Sequence, residues 1–229
     1  MDYEIVYETT IVKIKEKMKY KFIAFDLDGT LVNTFSYILS SYKYALTTVY
    51  GKAEESEESI KSKIGKPIAE FFIDYPEKDR KRLYDLYSTN NDAIQNNGVP
   101  FFTGVKKLLK TLKEKVKVGL VTSKRRKPLE EWLEKENLQN FFDVVVAKED
   151  TLLNKPNGQP LEKAMELAGV NATETLYVGD AKYDVMCAHN ANVDACVVGW
   201  NAFGKEFFKK YKPEYYAESC QEIINLLKI

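Results

Sequence analysis

Two aspartates spaced two residues apart, Asp26 and Asp28, lie in the run Asp26-Leu27-Asp28-Gly29-Thr30, which is entered from the apolar stretch Phe22-Ile23-Ala24-Phe25. In extended backbone, side chains at i and i+2 project to the same side, so both carboxylates face one point. Gly29 then breaks the segment just past the end of a buried strand. Paired acids in that position suit a hard cation such as Mg²⁺, which takes oxygen ligands. One of them could also act as a nucleophile, because carboxylates form aspartyl-phosphate intermediates. The competing reading of these five residues alone is a strand followed by an Asp-Gly hairpin turn.

The elements that must position this pair are written as short, nearly continuous apolar runs at 21–25, 116–121, 144–147, 175–178 and 195–198. Runs without polar alternation suit strands covered on both faces, as in a parallel sheet. Helical spacing fills the intervals: Val105, Leu108, Leu109 and Leu112; Leu129, Trp132, Leu133 and Leu138; Leu161, Ala164, Met165 and Ala168. Pro128 and Pro160 fall where a first helical turn tolerates proline, and Gly169 where a helix stops. Alternation of this kind predicts right-handed βαβ units in a Rossmann-like, doubly wound α/β fold. From Tyr215 onward, a last short strand and a helix follow.

One stretch breaks the rhythm. Between Thr34 and Pro100 no buried strand is legible, only helical patterning: a long stripe of Phe35, Ile38, Leu39, Tyr42, Ala45, Leu46 and Val49 ending at Gly51, and a second with Leu83, Leu86 and Tyr87. The stripe reads as packed core rather than a ligand box. The expectation is an all-helical insertion of residues 34–100 in a catalytic core made of residues 1–33 and 101–229, a plausible size for a small module.

In an open parallel sheet, ligands bind beyond the carboxyl ends of the strands. There the chain places Asp26 and Asp28 after the first strand, and Thr122 and Ser123 after the second. Lys155-Pro156 lies in the connection after the third, and Gly179-Asp180 after the fourth, with Asp184 four residues on. Acids would hold a divalent cation, while a lysine, hydroxyls and freed amides would hold a phosphate. Phosphoryl transfer needs both, being mostly positioning and charge stabilisation.

The four segments Asp26-Leu27-Asp28-Gly29-Thr30-Leu31-Val32, Val121-Thr122-Ser123-Lys124, Lys155-Pro156-Asn157-Gly158-Gln159-Pro160 and Val178-Gly179-Asp180-Ala181-Lys182-Tyr183-Asp184 resemble the haloacid dehalogenase-like superfamily. The likeness is to its phosphatase branch with a helical cap, and it covers nearly everything after the first twenty residues. Phosphoglycolate phosphatases and small pyrophosphatases look nearest, partly through Ile64-Gly65-Lys66-Pro67. The resemblance implies Asp26 as nucleophile and Asp28 as general acid, then base. It implies Mg²⁺ held by the Asp26 carboxylate, the Asp28 backbone carbonyl and Asp180, with Asp184 close by. Thr122, Ser123 and Lys155 would hold the phosphoryl oxygens. Lys66 is the cap residue expected to meet the leaving group, while Lys61 and Lys63 read as solvated or substrate-facing charges. Dehalogenases of this fold lack an acid at the Asp28 position, so a phosphate substrate is expected. Two alternatives use the same residues: a sugar phosphomutase of the β-phosphoglucomutase type, and a non-catalytic regulatory module.

Composition narrows the partners. The 229 residues carry 34 Lys+Arg and 34 Asp+Glu, and that balance speaks against nucleic-acid or anionic-membrane partners. The run Lys124-Arg125-Arg126-Lys127 therefore reads as a solvated loop near the entrance of an anionic substrate. His189, the only histidine, reads as structural. Cys187, Cys196 and Cys220 are too few for a disulfide framework and read as reduced thiols. Residues 1–20, rich in Glu and Lys, lack a signal-peptide core, and no later stretch could span a membrane. A cytoplasmic monomer or homodimer acting on a small phosphorylated substrate is the expectation.

Overall fold

The computed structural model describes residues 18–66 and 68–228. Pro67, and with it the end of the Ile64-Gly65-Lys66-Pro67 segment, lies outside the described residues, as does most of the N-terminal extension. Six strands, β1 (Phe22–Phe25), β2 (Lys117–Val121), β3 (Val144–Val146), β4 (Thr175–Gly179), β5 (Asp194–Val198) and β6 (Tyr215–Ala217), form one parallel sheet in the order β3-β2-β1-β4-β5-β6.

β1 is central, and period-2 alternation sends its side chains to two separate cores. Ile23 and Phe25 pack with Leu108, Leu112 and Trp132 from α4 (Val105–Lys113) and α5 (Arg126–Lys135). Phe22 and Ala24 pack on the other face with Leu161, Met165 and Val185 from α6 (Gln159–Ala168) and α7 (Lys182–Asn190). Coverage on both faces is why the strands read as unbroken apolar runs. α8 (Lys205–Phe208) and α9 (Cys220–Asn225) complete the sandwich.

Phe25 is in register with Leu120 of β2 and Val178 of β4, and the Asp26 amide donates to the Val178 carbonyl at 2.9 Å. That register brings Asp26, Thr122 and Asp180 to one rim, at the reversal of strand order where open α/β sheets bind ligands.

Between β1 and α4 the chain forms α1 (Phe35–Tyr50), α2 (Glu57–Lys63) and α3 (Glu77–Gln95). Their core is their own: Ile38, Tyr42, Leu46, Ile60, Phe72, Leu83 and Tyr87 cluster together. The two connecting segments meet at an antiparallel bridge between Val32 and Phe101. Lys63 departs from expectation. It is buried, bridging Glu55 at 2.8 Å and donating to the Tyr42 hydroxyl (2.8 Å) and the Phe71 carbonyl (3.1 Å), so it neither faces solvent nor a substrate. His189 lies at the surface of α7 beside Glu214, and Cys187 and Cys196 are buried free thiols. Among the described residues no helix is long and apolar enough to cross a membrane.

Candidate active site

β1 ends by delivering Asp26 to a buried ion cluster. Lys155 Nζ donates to Asp26 Oδ1 at 2.7 Å and to Asp184 Oδ1 at 2.8 Å, with the lysine side chain only 2% exposed. Burial disfavours its charge, but Asp184 and Asp26 hold the ammonium above the ordinary lysine range. Burial pushes the Asp26 carboxyl up to about 7 even with Lys155 opposing the rise, and Asp184 and Asp28 add to it. Asp184, in the first turn of α7, accepts through Oδ2 from the amides of Asp180 (3.2 Å) and Ala181 (3.0 Å). Tyr177 places its hydroxyl 3.2 Å from Asp184 Oδ1 and donates to the Val121 carbonyl.

Asp180 completes a group of three buried carboxylates, Asp26, Asp180 and Asp184, whose oxygens lie within 4.8 Å of one another. Burial first, then the charges of Asp184 and Asp26, drive the Asp180 carboxyl well above its ordinary value. Such crowding is unfavourable without a counter-ion, and oxygen-only ligands at this separation fit a hard divalent cation. Gly29 shapes the same point. It has φ of +89°, and a Cβ there would lie 2.3 Å from Asp180 Oδ2. Thr30 Oγ1 steadies Asp180 at 3.2 Å, and Trp200 Nε1 donates to the Thr30 carbonyl.

Asp28 stands apart from that group. Its Oδ2 lies 3.6 Å from Lys124 Nζ, and its Oδ1 is buried with no hydrogen-bond partner. The carboxylate therefore faces the space between sheet rim and inserted helices, and any metal contact expected of Asp28 falls to its backbone carbonyl. A cavity of about 60 Å³ occupies that space, lined by Asp26, Asp28, Thr122, Ser123, Lys124 and Pro128 from the core and by Gly65, Lys66, Tyr87, Asn91 and Gln95 from the insertion. Lys66 is half-buried, its Nζ 5.8 Å from the Tyr183 ring centre. Thr122 Oγ1 accepts the Lys124 amide at 3.1 Å.

The basic run after β2 is not a solvated loop. Lys124 is almost fully enclosed and donates to Gln95 Oε1 at 2.6 Å, Arg125 pairs with Asp92, and Arg126 opens α5 and pairs with Asp150. Only Lys127 of the four is exposed. Sequence reasoning missed Lys124, Gln95, Asn91 and Tyr177. One signal was available: Leu83, Tyr87, Asn91 and Gln95 recur every four residues on the buried stripe of α3, so two amides occupy positions where an ordinary core would carry apolar groups.

The arrangement defines a class: a parallel α/β core with acids and a lysine at the strand ends beneath a helical insertion. The haloacid dehalogenase-like hydrolase profile matches residues 23–198, and the chain belongs to that family. It is 33% identical over 213 residues to a pyrophosphatase PpaX of Halalkalibacterium halodurans, covering 93% of this chain and 99% of that one. It is also 33% identical over 211 residues to a pyrophosphatase PpaX of Bacillus cereus, covering 92% and 97%. Among solved structures, a "predicted phosphatase" from Clostridium acetobutylicum superposes with a TM-score of 0.80 at 26% identity, over 92% of this chain and 99% of that one. A "predicted phosphoglycolate phosphatase" from Haemophilus somnus shares the fold, with a TM-score of 0.79 at 22% identity over 91% and 98%.

Proposed function

We propose that this hydrolase is a Mg²⁺-dependent phosphatase of a small phosphorylated metabolite, a phosphoglycolate-like ester or pyrophosphate, working through an aspartyl-phosphate. The observation that carries the reading is the delivery by β1 of a lysine-bonded Asp26 and a separate Asp28 to the floor of one small covered cavity. The relatives named pyrophosphatase support the choice of phosphate chemistry.

Asp26 attacks phosphorus, and the leaving-group oxygen takes its proton from Asp28. Asp28 then removes a proton from the water that hydrolyses the acyl phosphate, splitting one difficult displacement into two easier ones. Lys155 and the hydroxyls of Thr122 and Ser123 hold the transferring oxygens. Residues 34–100 act as the cap domain, excluding water and setting specificity, with Lys66 facing an anionic leaving group. Asp26, Asp180, Asp184 and the Asp28 carbonyl would hold Mg²⁺, which supplies charge stabilisation for the transferring group when bound.

Phosphate release from pyrophosphate, phosphoglycolate and a panel of sugar phosphates, with and without Mg²⁺, tests the reading in wild type and Asp26→Asn. Metal-dependent turnover that disappears in the variant supports it. Silence across the panel, or turnover that survives in Asp26→Asn, overturns it, and conversion of β-glucose 1-phosphate to the 6-phosphate would make the protein a mutase instead.

A further inference from the structure

Three consecutive residues after β2 each reach the helical insertion. Ser123 Oγ donates to the Gly65 carbonyl at 3.4 Å, Lys124 Nζ donates to Gln95 Oε1 at 2.6 Å, and Arg125 pairs with Asp92. Of these three, Lys124 is the one that also faces a proposed catalytic carboxylate, with its Nζ 3.6 Å from Asp28 Oδ2. We propose that Gln95 is a positioning residue for Asp28, acting through Lys124, so that the general acid is aimed only while α3 is seated on the core. This rests on the phosphatase reading above and deepens it.

Lysine is a point charge on a flexible four-carbon stem, and nothing in the stem itself selects one direction. Holding it still costs rotamer freedom, so a second contact is needed to fix it. Gln95 is that contact: it is the last residue of α3, it is buried, and as a neutral acceptor it orients the ammonium without neutralising it. The charge of Lys124 stays directed at Asp28 Oδ2, and Oδ1 is the carboxylate oxygen left without a protein partner. A carboxylate or a hydrophobic residue at position 95 could not serve in this way. The first would claim the lysine's charge, and the second would release its stem.

Substitution at Gln95 should therefore act on leaving-group protonation and spare phosphoryl binding. The test is Gln95→Ala in the full chain, with Mg²⁺, on three compact substrates of falling leaving-group basicity: phosphoglycolate, pyrophosphate and acetyl phosphate. The expected result is a loss in kcat on the order of tenfold for phosphoglycolate and smaller for pyrophosphate. Acetyl phosphate turnover, whose leaving acetate needs no proton, should stay within about twofold, and KM should stay within about twofold for all three. Lys124→Met should give the same ordering with larger losses, and it carries the test if Gln95→Ala does not fold. Equal losses on all three substrates, a change confined to KM, or no change while Asp26→Asn is inactive would overturn the inference and leave the phosphatase reading intact. Wild-type silence on every substrate would overturn both.

Discussion

Lys155 and Asp26 are 129 residues apart in the chain, yet their side chains meet at 2.7 Å in the interior. Neither group can be buried alone without a heavy electrostatic cost, so the pair ties the loop after β3 to the end of the central strand.

Lys155→Met leaves Asp26 and Asp184 buried with no cation between them. Removing one partner of a buried pair costs about 3–5 kcal/mol. Metal-free thermal melting should drop by at least ~6 °C for a chain of this size. Turnover should fall by two to three orders of magnitude with Mg²⁺ present, because a positioned charge on the transferring oxygens is also lost. Melting curves and steady-state rates check both.

Asp180→Asn should move stability and metal response in opposite directions. Burial first, and then crowding by Asp184 and Asp26, raises the wild-type carboxyl far above the usual range. A neutral isostere relieves that repulsion and still accepts from Thr30, so metal-free melting should rise by a few degrees. Mg²⁺ should raise the melting temperature of wild type by binding only the folded state, and have little effect on the variant. A variant that melts lower without metal would contradict this account of the cluster.

Gly65 has φ of +89°, and a Cβ there would lie 2.8 Å from Ala181 Cβ and 3.0 Å from the Tyr183 ring. Gly65→Ala should therefore hinder seating of the insertion beside Asp180. A fall in kcat/KM of about tenfold is expected, with a melting temperature changed by only a few degrees because the turn lies outside the hydrophobic clusters. Unchanged kcat/KM would mean that this contact plays no part in closure.

Glu55 makes low-pH stability a probe of the helical insertion. Burial opposes its charge, but hydrogen bonds from Lys63, Ser59, Tyr42 and Tyr75 prevail and hold the carboxyl down to about 2, against an ordinary 4.5. A group lowered in the folded state stabilises fully above its unfolded value, and that contribution fades as pH falls through the folded one. Wild type should exceed Glu55→Gln by roughly 2 kcal/mol near pH 6, with the gap closing between about pH 4.5 and 2. Urea titrations at several pH values measure the difference.

The strands themselves, their burial on both faces and the acids at their ends were all legible in the linear chain. Each is a local property: an apolar run of four or five residues, a period of two, a glycine where the strand must break. Asp26, Thr122, Lys155, Asp180 and Asp184 were found in this way, because parallel register brings strand ends to one rim whatever lies between them.

What tertiary structure alone decided is which cation each carboxylate receives. Three lysines in the short stretch from Lys61 to Lys66 look alike in sequence, yet Lys63 is enclosed by Glu55 and Tyr42 while Lys66 borders the cavity. Lys124 sits in a basic run that composition suggests is solvated, yet the end of α3 folds over it and directs it at Asp28. The direction of a long, flexible side chain is set by partners that packing brings from elsewhere in the chain. No local periodicity encodes those partners, and this is why the acids and Lys155 could be read from the sequence while the partners of Lys63 and Lys124 could not.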